Sequence, residues 1–292
     1  MSQTLYKLAD RGVISIEGAD ARTWLDSLVT NDLTGLDHKP AVFSALLSPQ
    51  GKLLFEFFLI KECAGLLLDT ARDAVAPMIK RLTLYKLRAQ VAITDVSAER
   101  GVVWAPRASS LALAPTANGA LLYPDPRAET QLWRGITAAA AAASLPASGD
   151  YAAQRVRLGL PEPPIDYRLG DAFPHEANFD LLQGVSFTKG CFVGQEVVSR
   201  MQNKTVVRKR IARVIGRGPL RSGLEITAGT ATLGTLGTVA GDMGLAMLRL
   251  DRAAEAQDAG QALMADRTEV EIDAAALASY RQSVANRPVH DL

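Results

Sequence analysis

The sequence predicts an α+β protein that ends in a small β-barrel. Apolar residues at 13–16 and 53–60 are arranged as in strands, whereas residues 73–84 repeat their apolar side chains at helical spacing. In the last third of the chain, short strand-like segments follow one another between glycine turns, which is typical of a small barrel. We therefore expect an α+β body at residues 1–205 and a barrel domain at residues 206–292.

Length and composition limit the class of protein. The chain has 292 residues, of which 48% are hydrophobic and 22% charged, with 32 basic and 31 acidic side chains. This balance is typical of a folded protein and argues against a surface that binds nucleic acid generally. The apolar run at 53–60 is far shorter than the roughly 20 residues that span a bilayer. Since there are two cysteines and no signal-peptide pattern, we expect reduced thiols, a cytoplasmic location and no membrane association.

The first half of the chain predicts strands and helices in turn. Strands are expected at residues 13–16, 43–47, 53–60, 66–69 and 91–96, with helices from Asp20 to near Thr30 and over residues 73–84. Ser48-Pro49-Gln50-Gly51 predicts a hairpin turn. The alanine run at 138–144 favours a surface helix over a linker, and another helix is expected at 151–158.

The second half begins with a long polar segment at residues 165–180 that lacks periodicity. We expect an ordered loop there, and long loops inside compact domains tend to be functional. The barrel strands are expected at residues 224–227, 230–233, 236–239, 245–250 and 268–272.

Residues 189–196, Lys-Gly-Cys-Phe-Val-Gly-Gln-Glu, form the most distinctive segment. Cys191 lies two residues after Lys189 and shortly before a helix that is expected to begin near Gly194. A neighbouring cation and a helix N-terminus both favour the thiolate form of cysteine, so the setting indicates a reactive thiol. The alternative is a half-buried cysteine that acts as a small apolar residue. Gly190 and Gly194 indicate either a tight turn facing a ligand or an ordinary turn.

Other chemical signatures are missing from the sequence. GxSxG, a P-loop and GxGxxG after a strand do not occur, and the three histidines lie too far apart for HExxH. No zinc-type ligand cluster is present, and two cysteines cannot alone hold an iron–sulfur cluster. A nucleophilic pair of Cys191 and His175 remains an alternative. The basic run at 206–213 indicates a solvated or ion-paired strand, with tRNA binding as the alternative.

KGCFVGQE, followed by VVSR, resembles the signature of the YgfZ-type folate-binding proteins, Lys-Gly-Cys-aromatic-x-Gly-Gln-Glu. The resemblance covers roughly residues 8–285 through RGVISIEGADARTWLDSLVTNDL, LLSPQGKLLFEFFL, RVRLGLPEP, FPHEANFDLLQGVSFTKGC and LGTVAGDMGLAMLRLD. That family is similar in fold to the T-protein of the glycine cleavage system. The resemblance implies a three-part ring, with two intertwined subdomains in the body and the barrel at the C-terminal end.

The same resemblance implies a function. It indicates an accessory protein that binds tetrahydrofolate or a derivative and assists assembly or repair of four-iron clusters, including those of radical enzymes that modify tRNA. The implied partners are iron–sulfur client or scaffold proteins, without direct binding of nucleic acid. The alternative is a tetrahydrofolate-dependent aminomethyltransferase or related one-carbon transferase. T-proteins carry two aspartates where this chain has Phe55 and Glu56, and a displaced carboxylate argues against transfer.

Site residues also follow from the resemblance. Glu176, in PHEAN, matches the T-protein glutamate that binds the pterin, and a carboxylate suits such an edge because it accepts two parallel hydrogen bonds. Arg157 matches an arginine at the end of the central helix, where it serves either the folate pocket or a buried ion pair. Lys189 and Cys191 are the predicted catalytic residues, and no metal site is expected. Further cofactor contacts are assigned to Gly190, Phe192, Gly194, Gln195 and Glu196.

Overall fold

The structure, a computed structural model, describes residues 5–62, 65–106, 121–147 and 150–285. The chain divides into two compact units, the first comprising residues 1–149 and 182–195 and the second comprising residues 150–181 and 196–292. Cys63 lies outside the described residues. The domain boundary predicted at residue 205 does not coincide with a boundary of these units, and it stays a prediction.

The first unit contains two antiparallel sheets. Its strands are β1 (Tyr6–Lys7), β2 (Arg11–Glu17), β3 (Ala41–Leu47), β4 (Leu53–Glu62), β5 (Gly65–Ala71), β6 (Ala92–Asp95), β7 (Arg100–Pro106), β8 (Leu121–Pro124) and β9 (Leu132–Ala138). One sheet has the order β3-β4-β5-β2-β6 and the other the order β1-β7-β9-β8. The expected strands and the hairpin at residues 48–51 are present, whereas sequence analysis assigned no element to β7, β8 and β9.

The helices of the described residues are α1 (Ala21–Asp26), α2 (Val75–Lys86), α3 (Ala139–Ala143), α4 (Tyr151–Leu158), α5 (Gln195–Lys204), α6 (Leu250–Asp258) and α7 (Ala274–Ala285). Helix α2 packs on the five-stranded sheet through Val75, Met78 and Leu82, whose spacing is helical. The alanine run forms α3, so the expectation of a helix is confirmed. None of the helices described is long and apolar enough to cross a membrane.

The second unit contains a closed barrel. Its strands are β10 (Lys209–Gly216), β11 (Glu225–Ala228), β12 (Ala231–Ala240), β13 (Met243–Arg249), β14 (Leu263–Ala265) and β15 (Thr268–Ile272). The order around the barrel is β10-β13-β12-β11-β14-β15, and β15 pairs with β10 to close it. Ile226, Leu248 and Val270 belong to its apolar interior. The predicted C-terminal barrel is therefore confirmed.

Strand β12 differs from the strands predicted for this part of the sequence. Residues 230–233 and 236–239, expected as two strands, form the single strand β12. Gly234 resembles a turn residue in the sequence, but it serves close strand packing, since a Cβ there would lie 1.9 Å from the Met247 carbonyl oxygen. The glycine marks a close approach of two backbones and leaves the strand continuous.

Candidate functional site

The thiol-bearing loop, residues 182–195, is fastened within the first unit to the segment that follows α1. The buried Thr30 hydroxyl donates to the Gly184 carbonyl oxygen at 2.6 Å, and the Asn31 side chain donates to the Gln183 carbonyl oxygen at 2.6 Å. The Ser186 N–H donates in return to the Thr30 carbonyl oxygen at 3.0 Å. These hydrogen bonds fix the first half of the loop in place.

Lys189 fastens the second half of the loop. Its ammonium donates to the carbonyl oxygens of Asp26 at 2.5 Å, Val29 at 3.0 Å and Asn31 at 2.8 Å, and it lies 3.3 Å from Asp26 Oδ1. The side chain is only 2% exposed, and burial lowers the pKa of the Lys189 ammonium. These contacts satisfy carbonyls at the end of α1, so the structure gives Lys189 a positioning role. Its assignment as a catalytic residue stays a prediction.

Phe192 and Val193 anchor the loop by packing. The Phe192 ring is buried and lies 5.6 Å from the Lys189 ammonium, within the range of a cation–π contact. Val193 packs against the main apolar core of the first unit. The two side chains on the C-terminal side of Cys191 therefore face the protein interior, and Phe192 is occupied in this packing.

Gly194 holds the end of the loop against the β3–β4 hairpin. Its φ is +82°, a conformation that favours glycine, and a Cβ there would lie 2.6 Å from the Ser48 carbonyl oxygen. Gln195 then starts α5, and its N–H donates to the Phe192 carbonyl oxygen at 3.2 Å. Gly194 therefore serves a close approach to the protein's own backbone, which agrees with the ordinary turn offered as an alternative.

Cys191 and Gly190 lie at the exposed apex of this loop. Cys191 is a free, exposed cysteine, which excludes the half-buried alternative. A Cβ on Gly190 would meet no atom within 4 Å, so a side chain or ligand has room beside the thiol. Among the described residues, no group of three or more histidine, cysteine, aspartate or glutamate side chains is arranged to hold a metal ion. A metal cluster at Cys191 would therefore require ligands beyond those that the described residues bring together.

Glu176 lies in the second unit and lines a cleft of about 530 Å³ together with Phe173, Met201, Lys204, Thr205, Val206, Val207, Arg208, Lys209 and Arg249. Glu176 Oε2 accepts a hydrogen bond from the Phe173 N–H at 2.9 Å. Oε1 accepts no hydrogen bond from any residue in the described ranges. One carboxylate oxygen is thus available to a ligand in the cleft.

The neighbouring His175 is buried, in contrast to Glu176. His175 Nε2 lies 3.0 Å from Gln202 Oε1, and burial lowers the pKa of the His175 imidazole. These contacts belong to the second unit and are typical of a structural histidine. They give no support to a nucleophilic pair with Cys191.

The arginine assigned from the sequence is not the one that the structure buries. Arg157 is exposed and donates to the Gln154 side chain. Arg155, two residues earlier, donates to Asp166 Oδ2 at 3.0 Å and to Thr238 Oγ1 at 3.1 Å. Both arginines lie in the last turn of α4, so only the contact with Asp166 distinguishes them. The buried ion pair that the sequence offered as one reading of Arg157 is therefore formed by Arg155.

Glu56, the carboxylate on which the transferase alternative rests, is buried. It is 4% exposed, on β4 opposite Ala45, and the Thr70 hydroxyl donates to its carbonyl oxygen at 2.9 Å. A carboxylate with so little exposed surface is poorly placed to act on a bound folate. The geometry does not favour the transferase alternative.

Glu196 is exposed on α5, and the described residues show no ion pair between Glu196 and Arg200. The basic run at 206–213 contains both the solvated and the ion-paired side chains that the sequence predicts. Arg210 and Arg213 pair with Asp180 and Asp273, at 2.7 Å each, but Arg208 and Lys209 line the cleft beside Glu176. Glu176 lies far from Arg208 and Lys209 in the sequence, so no local pattern predicts this juxtaposition.

Comparisons with known proteins add to this geometry. Residues 208–279 match the family model of the CAF17 C-terminal β-barrel domain. The iron–sulfur cluster assembly factor IBA57, mitochondrial, of Mus musculus is 33% identical over 279 residues, covering 84% of this chain and 77% of that protein. The Homo sapiens protein of the same name is 31% identical over 274 residues, covering 83% and 76%. The IBA57 homolog of Mycosarcoma maydis is 34% identical over 226 residues, and the chain spans 56% of its length.

A solved structure shows the fold. The glycine cleavage system aminomethyltransferase T from Bartonella henselae superposes with a TM-score of 0.70 at 12% sequence identity, covering 91% of this chain and 83% of that one. This likeness confirms the α+β, T-protein-like fold that the sequence predicts. The narrower assignment to the YgfZ-type branch is not confirmed, since the relatives named above are IBA57 proteins.

The predicted cytoplasmic location is wrong. The relatives named above are mitochondrial proteins. The prediction rested on unpaired thiols and on the lack of a signal-peptide pattern, and both features argue against secretion only. They do not distinguish one reducing compartment from another.

Proposed function

Because this chain belongs to the IBA57 family of iron–sulfur cluster assembly factors, we propose that it takes part in iron–sulfur cluster assembly and that Cys191 meets the cluster or a client protein. The observation that carries this proposal is the exposed thiol on a loop that is held on both sides. A thiol in such a setting is accessible to a large partner without rearrangement of the loop.

The chemistry of the thiol defines what a partner must supply. A cluster is usually held by four thiolates, and this chain has one described cysteine, which belongs to no group of three or more potential metal ligands among the described residues. Cys191 therefore acts as one ligand, or as a transient ligand during transfer, while a scaffold or client protein supplies the others. Radical enzymes that modify tRNA are among the proposed clients.

A first experiment tests Cys191 in cells that lack their own copy of the protein. Cys191→Ser and Cys191→Ala are introduced, with Thr188→Ala, an exposed neighbour in the same loop, as the control. We expect folded protein from all variants, rescue of four-iron enzyme activity by the control, and failed rescue by both cysteine variants. Full rescue by Cys191→Ala would refute the role of the thiol.

We further propose that the cleft around Glu176 binds tetrahydrofolate or a derivative. The cleft of about 530 Å³ is of the size that small-molecule ligands occupy, and Glu176 Oε1 is available as an acceptor within the described structure. A carboxylate at this position suits the amine and ring N–H of a pterin. Arg157, Gly190, Phe192, Gly194, Gln195 and Glu196, the further contacts that the resemblance implies, do not line this cleft and stay predictions.

A second experiment tests the folate proposal separately. The melting temperature of the purified protein is followed during titration with tetrahydrofolate, because a ligand that binds only the folded state raises it. Glu176→Gln removes the carboxylate, and Glu255→Gln removes an exposed carboxylate of α6 as the matched control. We expect the shift in wild type and control but not in Glu176→Gln. No shift in wild type at millimolar ligand would refute folate binding and leave the proposal for Cys191 intact.

A further inference from the structure

A groove on the second unit is lined by more basic side chains than acidic ones. The cleft beside Glu176 and a second cavity of about 380 Å³ share Lys209 and Arg249 in their linings. We call the two together the basic groove, and its cations are Lys204, Arg208, Lys209 and Arg249. Because Lys209 and Arg249 line both cavities, the two cavities lie next to each other on the surface of the second unit.

Most of the charge in the basic groove is unpaired. Lys204, Arg208 and Lys209 are exposed, and none of them forms an ion pair with another described residue. Arg249 pairs with Asp251 at 2.5 Å. Glu176 is the one carboxylate among the described lining residues. The groove therefore presents three uncompensated cations against a single acidic group.

The strand register makes this charge costly to the fold. Lys209 on β10 is the direct cross-strand neighbour of Arg249 on β13, and like charges in that relationship destabilise a sheet. The same strand pairs its next arginines, Arg210 with Asp180 and Arg213 with Asp273. Aspartates thus neutralise the arginines of β10, whereas Lys209, which borders the groove, has no such partner among the described residues. Unpaired basic side chains in a groove indicate an anionic ligand.

We propose that the basic groove docks an extended acidic segment of a partner protein. Carboxylates spaced along a peptide complement cations spaced along a groove. The lining also includes the apolar side chains of Met201, Val206, Val207 and Met247, which suit a peptide backbone and its apolar residues. This proposal does not depend on Cys191. It shares the cleft beside Glu176 with the folate proposal, so an acidic segment and tetrahydrofolate would compete for that cleft.

The lining favours a peptide over nucleic acid. Proteins that bind single strands stack bases on aromatic rings, and Phe173 is the one aromatic residue among the described lining residues. The Glu176 carboxylate would also repel a phosphate chain in the same space. A polypeptide can place an apolar or amide group opposite Glu176, whereas a phosphodiester backbone cannot.

Fluorescence anisotropy with the full-length protein tests the proposal. The probe is a short labelled peptide of alternating glutamate and serine, compared with a peptide that has glutamine in place of glutamate and with a short single-stranded RNA. The test variant is Arg208→Gln/Lys209→Gln. The matched control is Arg168→Gln/Arg267→Gln, which removes two exposed arginines outside the groove and makes the same change in net charge. Circular dichroism checks that both variants are folded.

We expect the glutamate peptide to bind wild type and control alike, with an affinity that falls as salt is raised, and to bind the test variant about tenfold more weakly. The glutamine peptide should not bind measurably. Equal affinity of the test variant and the control would overturn the proposal, as would tighter binding of the RNA than of the glutamate peptide. If the test variant does not fold, Lys204→Gln with Arg200→Gln as its control makes the same comparison on α5.

Discussion

The Lys189 ammonium lies 2.8 Å from the Asn31 carbonyl oxygen, across 158 positions of sequence. Together with the contacts to Asp26 and Val29, this bond ties the thiol-bearing loop to the end of α1. A lysine beside a cysteine in sequence suggests a cation that activates the thiol. The structure instead shows a buried cation engaged by backbone oxygens, whose effect on Cys191 is to hold its loop.

Lys189→Met is expected to loosen the loop. It keeps the length of the side chain but leaves buried carbonyl oxygens without their donor, which should lower the free energy of unfolding by about 1–3 kcal/mol. Hydrogen exchange at residues 184–192 should become faster, because the opening of this loop becomes easier. Lys80→Met, an exposed lysine of α2, is the control and should change stability by less than about 0.5 kcal/mol. Equal effects of the two variants would contradict the positioning role.

The two glycines of the loop should respond differently to the same substitution. Gly194→Ala places a Cβ against the Ser48 carbonyl oxygen and holds alanine at a φ of +82°, so a loss of about 1–3 kcal/mol is expected. Gly190→Ala meets open space and should stay within about 0.5 kcal/mol of wild type. Thermal or urea unfolding measures both. A Gly190→Ala loss as large as that of Gly194→Ala would refute this account of the loop.

The sequence predicts local structure well where apolar periodicity decides it. The hairpin of β3 and β4 and the helix α2 follow from patterns that their own residues contain. Gly234 shows where such reasoning fails, because the carbonyl that requires a glycine comes from Met247 on another strand. Contacts between segments distant in sequence leave no periodic signal within either segment.

In the candidate site, too, the contacts between distant segments could not be predicted from the sequence. The importance of the KGCFVGQE segment is visible in the sequence, since its composition is unusual. The partners of Lys189 are not visible, because carbonyl oxygens carry no side-chain signature and any residue type supplies them. Likewise, nothing in the order of residues places Lys204 and Arg208 in one groove with Glu176.

His175 should make stability depend on pH. Burial lowers the pKa of its imidazole, so below the ordinary value of about 6.5 the unfolded chain binds a proton that the folded chain does not. The contribution is present above that pH and is lost as pH falls toward the lowered pKa, at up to about 1.4 kcal/mol per pH unit. Urea unfolding from pH 7.5 to 5.5 measures the slope. His175→Gln should flatten it, and His38→Gln, which removes an exposed histidine, is the control; equal slopes in wild type and His175→Gln would contradict the prediction.

The last prediction separates the two arginines of α4. Arg155→Met leaves the buried Asp166 carboxylate without its main cation and removes the hydrogen bond to Thr238, so a loss of about 3–5 kcal/mol is expected. Arg157→Met removes an exposed side chain and should cost less than about 0.5 kcal/mol. Urea unfolding of both variants gives the comparison, and Arg155→Met/Asp166→Leu, which removes both charges, should recover part of the loss. If Arg157→Met were the more damaging change, the exposed arginine would be the one that the fold requires, and its assignment from the sequence would regain a structural basis.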